Sequence, residues 1–280
     1  MTASLVRRHP PQPDSTAHEN SPARARDWAE IQERMLVPLH EAVYERLGVG
    51  PGTRLLGLCC GSGLALLLAA ARGAAVTGVD PGTDPGLLAL ARERLLPAGA
   101  DGGPGPVRAS LADPMGEAAP FTLITALEPV RRGGTPQELG TLLAEALPHA
   151  VPGAAVVLAG WGPQERCATS TVLRVVTKLA DPLRRTGGWR PARRDDLEEA
   201  ARRAGLRPDD SGRVSCPFGY ADPDSAVRGL LATGLFDAAI EATDARQVDK
   251  ELTEALHPYR RPDGTVWMPN VFRYLIARVP

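Results

Sequence analysis

Along the chain, apolar residues cluster in two alternating rhythms. Short apolar runs at Arg54 to Leu58, Ala75 to Val79, Val107 to Ser110, Phe121 to Ala126 and Ala154 to Trp161 predict buried strands. Between them lie segments with helical spacing. Gly63 to Arg72 ends at Gly73, Pro85 to Leu95 carries Leu87, Leu88, Ala91 and Leu95 on one face, and Thr135 to Leu147 has Pro136 in its first turn. Strands alternating with helices of this length imply a parallel sheet covered on both faces. Upstream, Trp28, Ile31, Met35, Leu36, Leu39, Val43 and Leu47 predict a helical lead, with Asp27 as its N-cap and a kink or stop at Pro38.

Beyond Trp161 the rhythm changes. Val172 to Leu183 and Arg193 to Ala204 read as helices, Arg213 to Cys216 as a short strand, Asp222 to Leu256 as mostly helical, and Gly264 to Val279 as a strand or hairpin. Residues 1–26 show almost no apolar periodicity and read as a disordered tail. The expected organisation is one domain over 27–280, with a core at about 50–162 completed by the C-terminal strands and with lid segments at about 163–190 and 217–260.

The chemistry concentrates between the first two runs. The stretch Leu55 to Asp80 passes from an apolar run through Cys59-Cys60-Gly61-Ser62-Gly63 into an apolar helix, then into a second run that ends on an acid. That order describes the first β-α-β unit of a nucleotide-binding domain. Gly61 and Gly63 admit a close backbone approach, and the Asp80 carboxylate is placed to accept both hydroxyls of a ribose. A dinucleotide-binding motif fits less well, because its third glycine falls on Leu66.

The turn resembles the glycine motif of class I S-adenosylmethionine-dependent methyltransferases of the bacterial small-molecule type, in a degenerate form. The second and third glycines match at Gly61 and Gly63, while Gly57 stands where the family carries an acid and Cys59 where it carries its first glycine. The resemblance extends over residues 27–280, through the lead from Trp28, the segment Leu87 to Leu95, the run from Ala150 to Gly162 and the closing Asp263 to Arg278. It implies a Rossmann-like seven-stranded, mostly parallel sheet whose last strand inserts antiparallel, with helices on both faces and a helical lid. It also implies S-adenosylmethionine as cofactor. Cys59, Gly61, Ser62 and Gly63 would pass beneath its methionine portion and Asp80 would hold the ribose. Pro81 would touch the adenine face, and Ser110 with Leu111 would lie near the adenine amino group. Ser110 and Thr122 stand where the family writes two further acids, so with Gly57 three acids are absent around the ligand crevice, which supports an inactive relative. Two functions follow from the resemblance: methyl transfer to a small-molecule acceptor, or a catalytically inactive relative acting as a binding or regulatory partner.

Composition narrows the classes. Apolar residues make up 43% of the 280 residues, enough for a large core, and no run approaches the ~20 apolar residues of a membrane span. A formal charge of −1 argues against a nucleic-acid partner. The four cysteines have no metal-ligand spacing and read as small buried residues in a reducing compartment. Arg7-Arg8 precedes His9-Pro10-Pro11 rather than an apolar stretch, so a cytoplasmic location is expected and no secretory signal is read. Methyl transfer from a sulfonium depends mainly on alignment, so no catalytic residue is assigned. His40, His149, His257 and Glu128 are weighed as bases and read as core-edge or solvated groups, and Trp161 as a pocket wall or a packing residue. The oligomeric state is left open.

Overall fold

The computed structural model describes residues 21–81, 84–95, 107–108, 120–130, 136–179 and 193–280. Nine strands are described: β1 (Arg54–Leu58), β2 (Ala75–Val79), β3 (Val107–Arg108), β4 (Phe121–Ala126), β5 (Ala150–Trp161), β6 (Arg207–Ser215), β7 (Phe218–Tyr220), β8 (Val266–Met268) and β9 (Val271–Arg278). Seven form one sheet in the order β3-β2-β1-β4-β5-β9-β6, while β7 and β8 pair apart as a small antiparallel sheet. The first five run parallel, and β9 inserts antiparallel between β5 and β6. The strand order reverses between β1 and β4, and in open α/β sheets ligands bind at such a reversal, outside the carboxyl ends of the strands.

The period-2 pleat sends neighbouring residues to opposite faces. Leu55, Leu123 and Val157 enter one core, while Leu56, Ile124, Val156 and Leu158 enter the other. The described helices are α1 (Ser21–Asp27), α2 (Val37–Leu47), α3 (Leu64–Ala71), α4 (Pro85–Leu95), α5 (Pro136–Ala146), α6 (Thr169–Leu179), α7 (Asp196–Arg203), α8 (Pro223–Ala232), α9 (Asp237–Ala242) and α10 (Ala245–Leu256). Helices α5 and α7 cover the second core, and the remaining buried helix faces join the first.

One close contact fixes the helix after the glycine turn against the sheet. Gly57 and Gly78 sit side by side in the β1–β2 ladder. A Cβ at Gly57 would stand 2.8 Å from Cδ2 of Leu66, and one at Gly78 would stand 2.5 Å from Cδ1. The Leu66 fork therefore straddles two glycines. A dinucleotide-binding unit places its close-packing glycine on the helix; here the helix carries the leucine and the strands carry the glycines. Gly57 is thus a packing residue, and an acidic side chain at this position would collide with Leu66.

The N-terminal lead departs from the expected single helix. Helix α1 begins at Ser21, inside the segment expected as tail, and continues as a wide π turn over Trp28–Gln32 and a tight 3₁₀ turn over Glu33–Leu36. Asp27 makes no side-chain cap; it pairs instead with Arg228. Pro38 lies in the first turn of α2, where its missing N–H costs nothing and its ring forces the break before it. Among the described residues, no helix is long and apolar enough to cross a membrane.

The Leu66 interlock makes a stability prediction. Gly78→Ala should cost about 1–3 kcal/mol by overpacking, and Leu66→Ala about 2–5 kcal/mol by leaving a cavity. In chemical denaturation the double variant should cost clearly less than the sum, because the new methyl fills space that Leu66 vacates. Strict additivity would contradict the interlock.

Candidate cofactor site

Between β1 and α3 the backbone alternates hands. Cys59, Gly61 and Gly63 have φ of 52°, 56° and 80°, whereas Cys60 and Ser62 remain at negative φ. The amides take separate partners: Cys60 donates to the Val79 carbonyl at 3.2 Å, and Gly63 closes the turn on the Cys60 carbonyl at 2.9 Å. The Gly61 amide donates to Oδ2 of Asp80 at 2.6 Å, so the carboxylate ending β2 is seated in the loop ending β1. Asp80 is 94% shielded from solvent, being 6% exposed, and Pro81 beside it is exposed. Gly63 starts α3 and abuts α4, where a Cβ would meet Ala91 at 3.1 Å.

Cys59 holds the left-handed conformation without being a glycine. The loop therefore keeps its backbone path at a strain of roughly 1–2 kcal/mol. The residues brought together are Cys59, Gly61, Ser62, Gly63, Asp80 and Pro81; Ser110 and Leu111 lie outside the described residues. Ser62 enters only through its backbone. Its side chain is fully buried and donates to Glu33.

Two of the absent acids now have structural accounts. Gly57 packs under Leu66, as above. Thr122 stands near the amino end of β4, away from the carboxyl-end crevice, and its hydroxyl accepts from the Arg54 amide at 2.9 Å. Its counting as a lost crevice acid is corrected: a threonine there removes nothing from the ligand side.

Sequence reasoning missed the residues that hold the loop from outside. Glu33 is buried on the lead and accepts from the Ser62 hydroxyl. Arg94, in the last turn of α4, pairs with Glu33 at 2.6 Å and donates to the Ser62 carbonyl at 3.2 Å. Burial pushes the Glu33 carboxyl up from 4.5 to about 7, against the opposing pull of Arg94. Gln32, which ends the π turn, and Glu33, which begins the 3₁₀ turn, are both buried. Gln32 accepts from the Tyr220 hydroxyl at 2.8 Å, tying the lead to β7. The signal in the sequence was this adjacent polar pair inside an otherwise apolar stripe.

The weighed bases separate by position. His149 and His257 are exposed, His149 just before β5 at the amino end of the sheet. His40 is fully buried on α2 beside the Leu127 backbone, at the carboxyl end of β4, and burial lowers its ring from 6.5 to about 4. Glu128 is partly buried; the Tyr44 phenol is raised chiefly by its own burial, to which the charge of Glu128 adds a lesser part. Trp161 packs on Phe272 and Phe218, with ring centroids 4.6 and 6.1 Å away. Beyond the ends of β5 and β6 lies an open cavity of about 740 Å³ bordered by Arg166, Cys167, Arg174, Ser215, Tyr259 and Asn270. The described residues contain no cluster of three or more metal-ligating side chains.

No protein-family model and no curated protein sequence matches the chain. Among solved structures it is similar to a methyltransferase candidate from Bacillus halodurans C-125, at 15% identity and a TM-score of 0.53, over 86% of this chain and 98% of that one. It is also similar to the YcgJ protein of Bacillus subtilis, at 13% identity and a TM-score of 0.50, over 86% and 98%. At these identities the likeness is one of fold: the chain has the Rossmann-like fold of class I methyltransferases.

Two predictions follow from the site. Cys59→Gly should stabilise the protein by about 1 kcal/mol in denaturant titration by relieving the left-handed strain, less the added flexibility of the unfolded chain. The two buried ionisable groups act oppositely on pH. Glu33, raised in the folded state, contributes stability fully below pH 4.5 that is lost as pH rises to about 7. His40, lowered, contributes stability above pH 6.5 that is lost as pH falls to about 4. Each is worth on the order of 3 kcal/mol across its window. Between pH 5 and 8 the melting temperature of Glu33→Gln should therefore rise relative to wild type by about 5 °C, at ~2–4 °C per kcal/mol; a constant difference would contradict the buried carboxyl.

Proposed function

We propose that the protein transfers a methyl group from S-adenosylmethionine to a small-molecule acceptor. One observation carries the reading: the Asp80 carboxylate at the end of β2 is seated in the left-handed glycine loop at the end of β1, at the reversal of the sheet order. The two oxygens of a carboxylate offer about four acceptor sites, so the Asp80 group that takes the Gly61 amide is of the right type for the paired hydroxyls of a ribose. The small Gly61 and the preserved backbone path at Cys59 fit a ligand lying close over the loop. The bound cofactor supplies an activated methyl on a sulfonium.

The chain's part is alignment. Asp80 and the loop fix the nucleoside, while the buried lead and α4 hold the loop from behind. With the methyl already activated, orientation and exclusion of water account for most of the acceleration, and no acid–base residue is required. The acceptor enters through the cavity beyond β5 and β6, with α6 and α8 to α10 serving as its lid. Gly57 and Thr122, which had favoured an inactive relative, have packing and backbone roles instead.

The reading is tested by titration calorimetry of the full chain with S-adenosylhomocysteine. Saturable binding is expected, and Asp80→Ala should weaken it by about one to two decades, the worth of one charged hydrogen-bond set. Circular dichroism should show the variant folded. No heat at millimolar ligand would sink the proposal.

A further inference from the structure

Glu33 lies where three separate parts of the chain meet. The lead provides its carboxylate, the glycine loop provides Ser62, and α4 provides Arg94. One carboxylate oxygen takes the Ser62 hydroxyl and the other takes Arg94, which also reaches the Ser62 carbonyl. Ser62 lies between Gly61, whose amide holds Asp80, and Gly63, which starts α3. The clasp thus grips the loop from behind at its midpoint, directly between the two residues whose left-handed backbone shapes the ligand side.

The clasp adds an outside hold to the loop's own bonds, Cys60 to the Val79 carbonyl, Gly61 to Asp80 and Gly63 to the Cys60 carbonyl. The loop's left-handed residues include a non-glycine under strain, and its side chains are small. On the other side of the clasp, the lead is fixed by Gln32 to Tyr220, by Arg24 to Asp237 at 3.0 Å and by Asp27 to Arg228. The Glu33 carboxylate therefore links the position of α8 and the small sheet to the loop.

We propose that Glu33, in its ionised form, is a positioning residue for the cofactor loop, so that ligand affinity depends on the protonation of Glu33. This rests on the cofactor reading above and deepens it. Protonation removes the charge that Arg94 pairs with and occupies one acceptor oxygen, which loosens Ser62 and with it the amide that seats Asp80. The neighbouring charges are accounted for. Arg94 faces Glu33 from α4, Asp80 is bound at Gly61, Arg228 of α8 is paired with Asp27, and Asp224 of α8 lies in its exposed first turn. Glu30 and Arg34 on the same segment are exposed. His40, with its ring lowered to about 4, does not titrate near neutrality.

The test is the affinity of the full chain for S-adenosylhomocysteine at pH 6, 7 and 8. With a carboxyl titrating at about 7 and binding confined to the ionised form, affinity should fall about tenfold from pH 8 to pH 6. Glu33→Gln, neutral at every pH, should bind more weakly than wild type does at pH 6, with a flat profile. Ser62→Ala, which removes the hydroxyl but keeps the ion pair, should bind several-fold more weakly and retain the pH dependence. Binding by wild type that is flat across this range, or an unchanged pH dependence in Glu33→Gln, would overturn the positioning role while leaving the cofactor reading intact. Absence of binding at every pH would overturn both. Should Glu33→Gln fail to fold, the wild-type and Ser62→Ala profiles decide the matter.

Discussion

The seating of Asp80 in the glycine loop is the constraint on which the rest of the site depends. It joins the loop that follows β1 to the carboxyl end of β2, beside the sheet's reversal between β1 and β4, through a short amide–carboxylate hydrogen bond. Charge-assisted bonds of this kind are about twice as strong as neutral ones. The loop can offer the amide only because its backbone turns left-handed at alternate residues, including Cys59. That geometry in turn needs α3 close to the sheet, which the Leu66 fork over Gly57 and Gly78 secures. Strand packing, loop handedness and carboxylate placement therefore form one dependent series.

Behind the loop, burial and charge oppose one another. Glu33 sits in a place that disfavours its charge, and Arg94 recovers part of the cost. A buried pair of this sort adds little net stability, since desolvation consumes much of the attraction. Its value lies in orientation: it fixes Ser62 relative to the lead and α4. His40, fully buried on the same lead, carries the opposite pH dependence, so the two groups largely offset one another between about pH 4.5 and 6.5.

Much of the sheet was legible because its strands are short apolar runs with clear stops. The ranges Arg54–Leu58, Ala75–Val79 and Phe121–Ala126 and the helix Pro85–Leu95 coincide with the sequence reading. Strand β6 was read only in its last residues. It is an edge strand, polar along most of its length, whose Pro208 needs no ladder partner on the open side and whose Asp209 and Asp210 pair with Arg278 and Arg46. The closing segment, read as one strand or hairpin, divides at Pro269 and Asn270 into strands of two different sheets. In the site, Gly61, Gly63 and Asp80 were legible from the turn itself. Glu33 was not, because a π turn shifts the helical phase of the lead, and Arg94 was not, because in sequence it is one of two basic residues in the last turn of α4. Thr122 was misplaced for a different reason: a missing acid was taken as a loss at the crevice when its position along β4 put it at the opposite end.

The central claim is that the Gly61 amide and Asp80 together form the floor of a nucleoside site. Its most direct test is the Gly61 amide resonance in a heteronuclear NMR titration of the full chain with S-adenosylhomocysteine. In the free protein this amide should be shifted downfield and protected from exchange by its carboxylate bond, and it should move saturably as ligand is added. An amide that exchanges freely in the free protein, or that stays unmoved at millimolar ligand, would contradict the account.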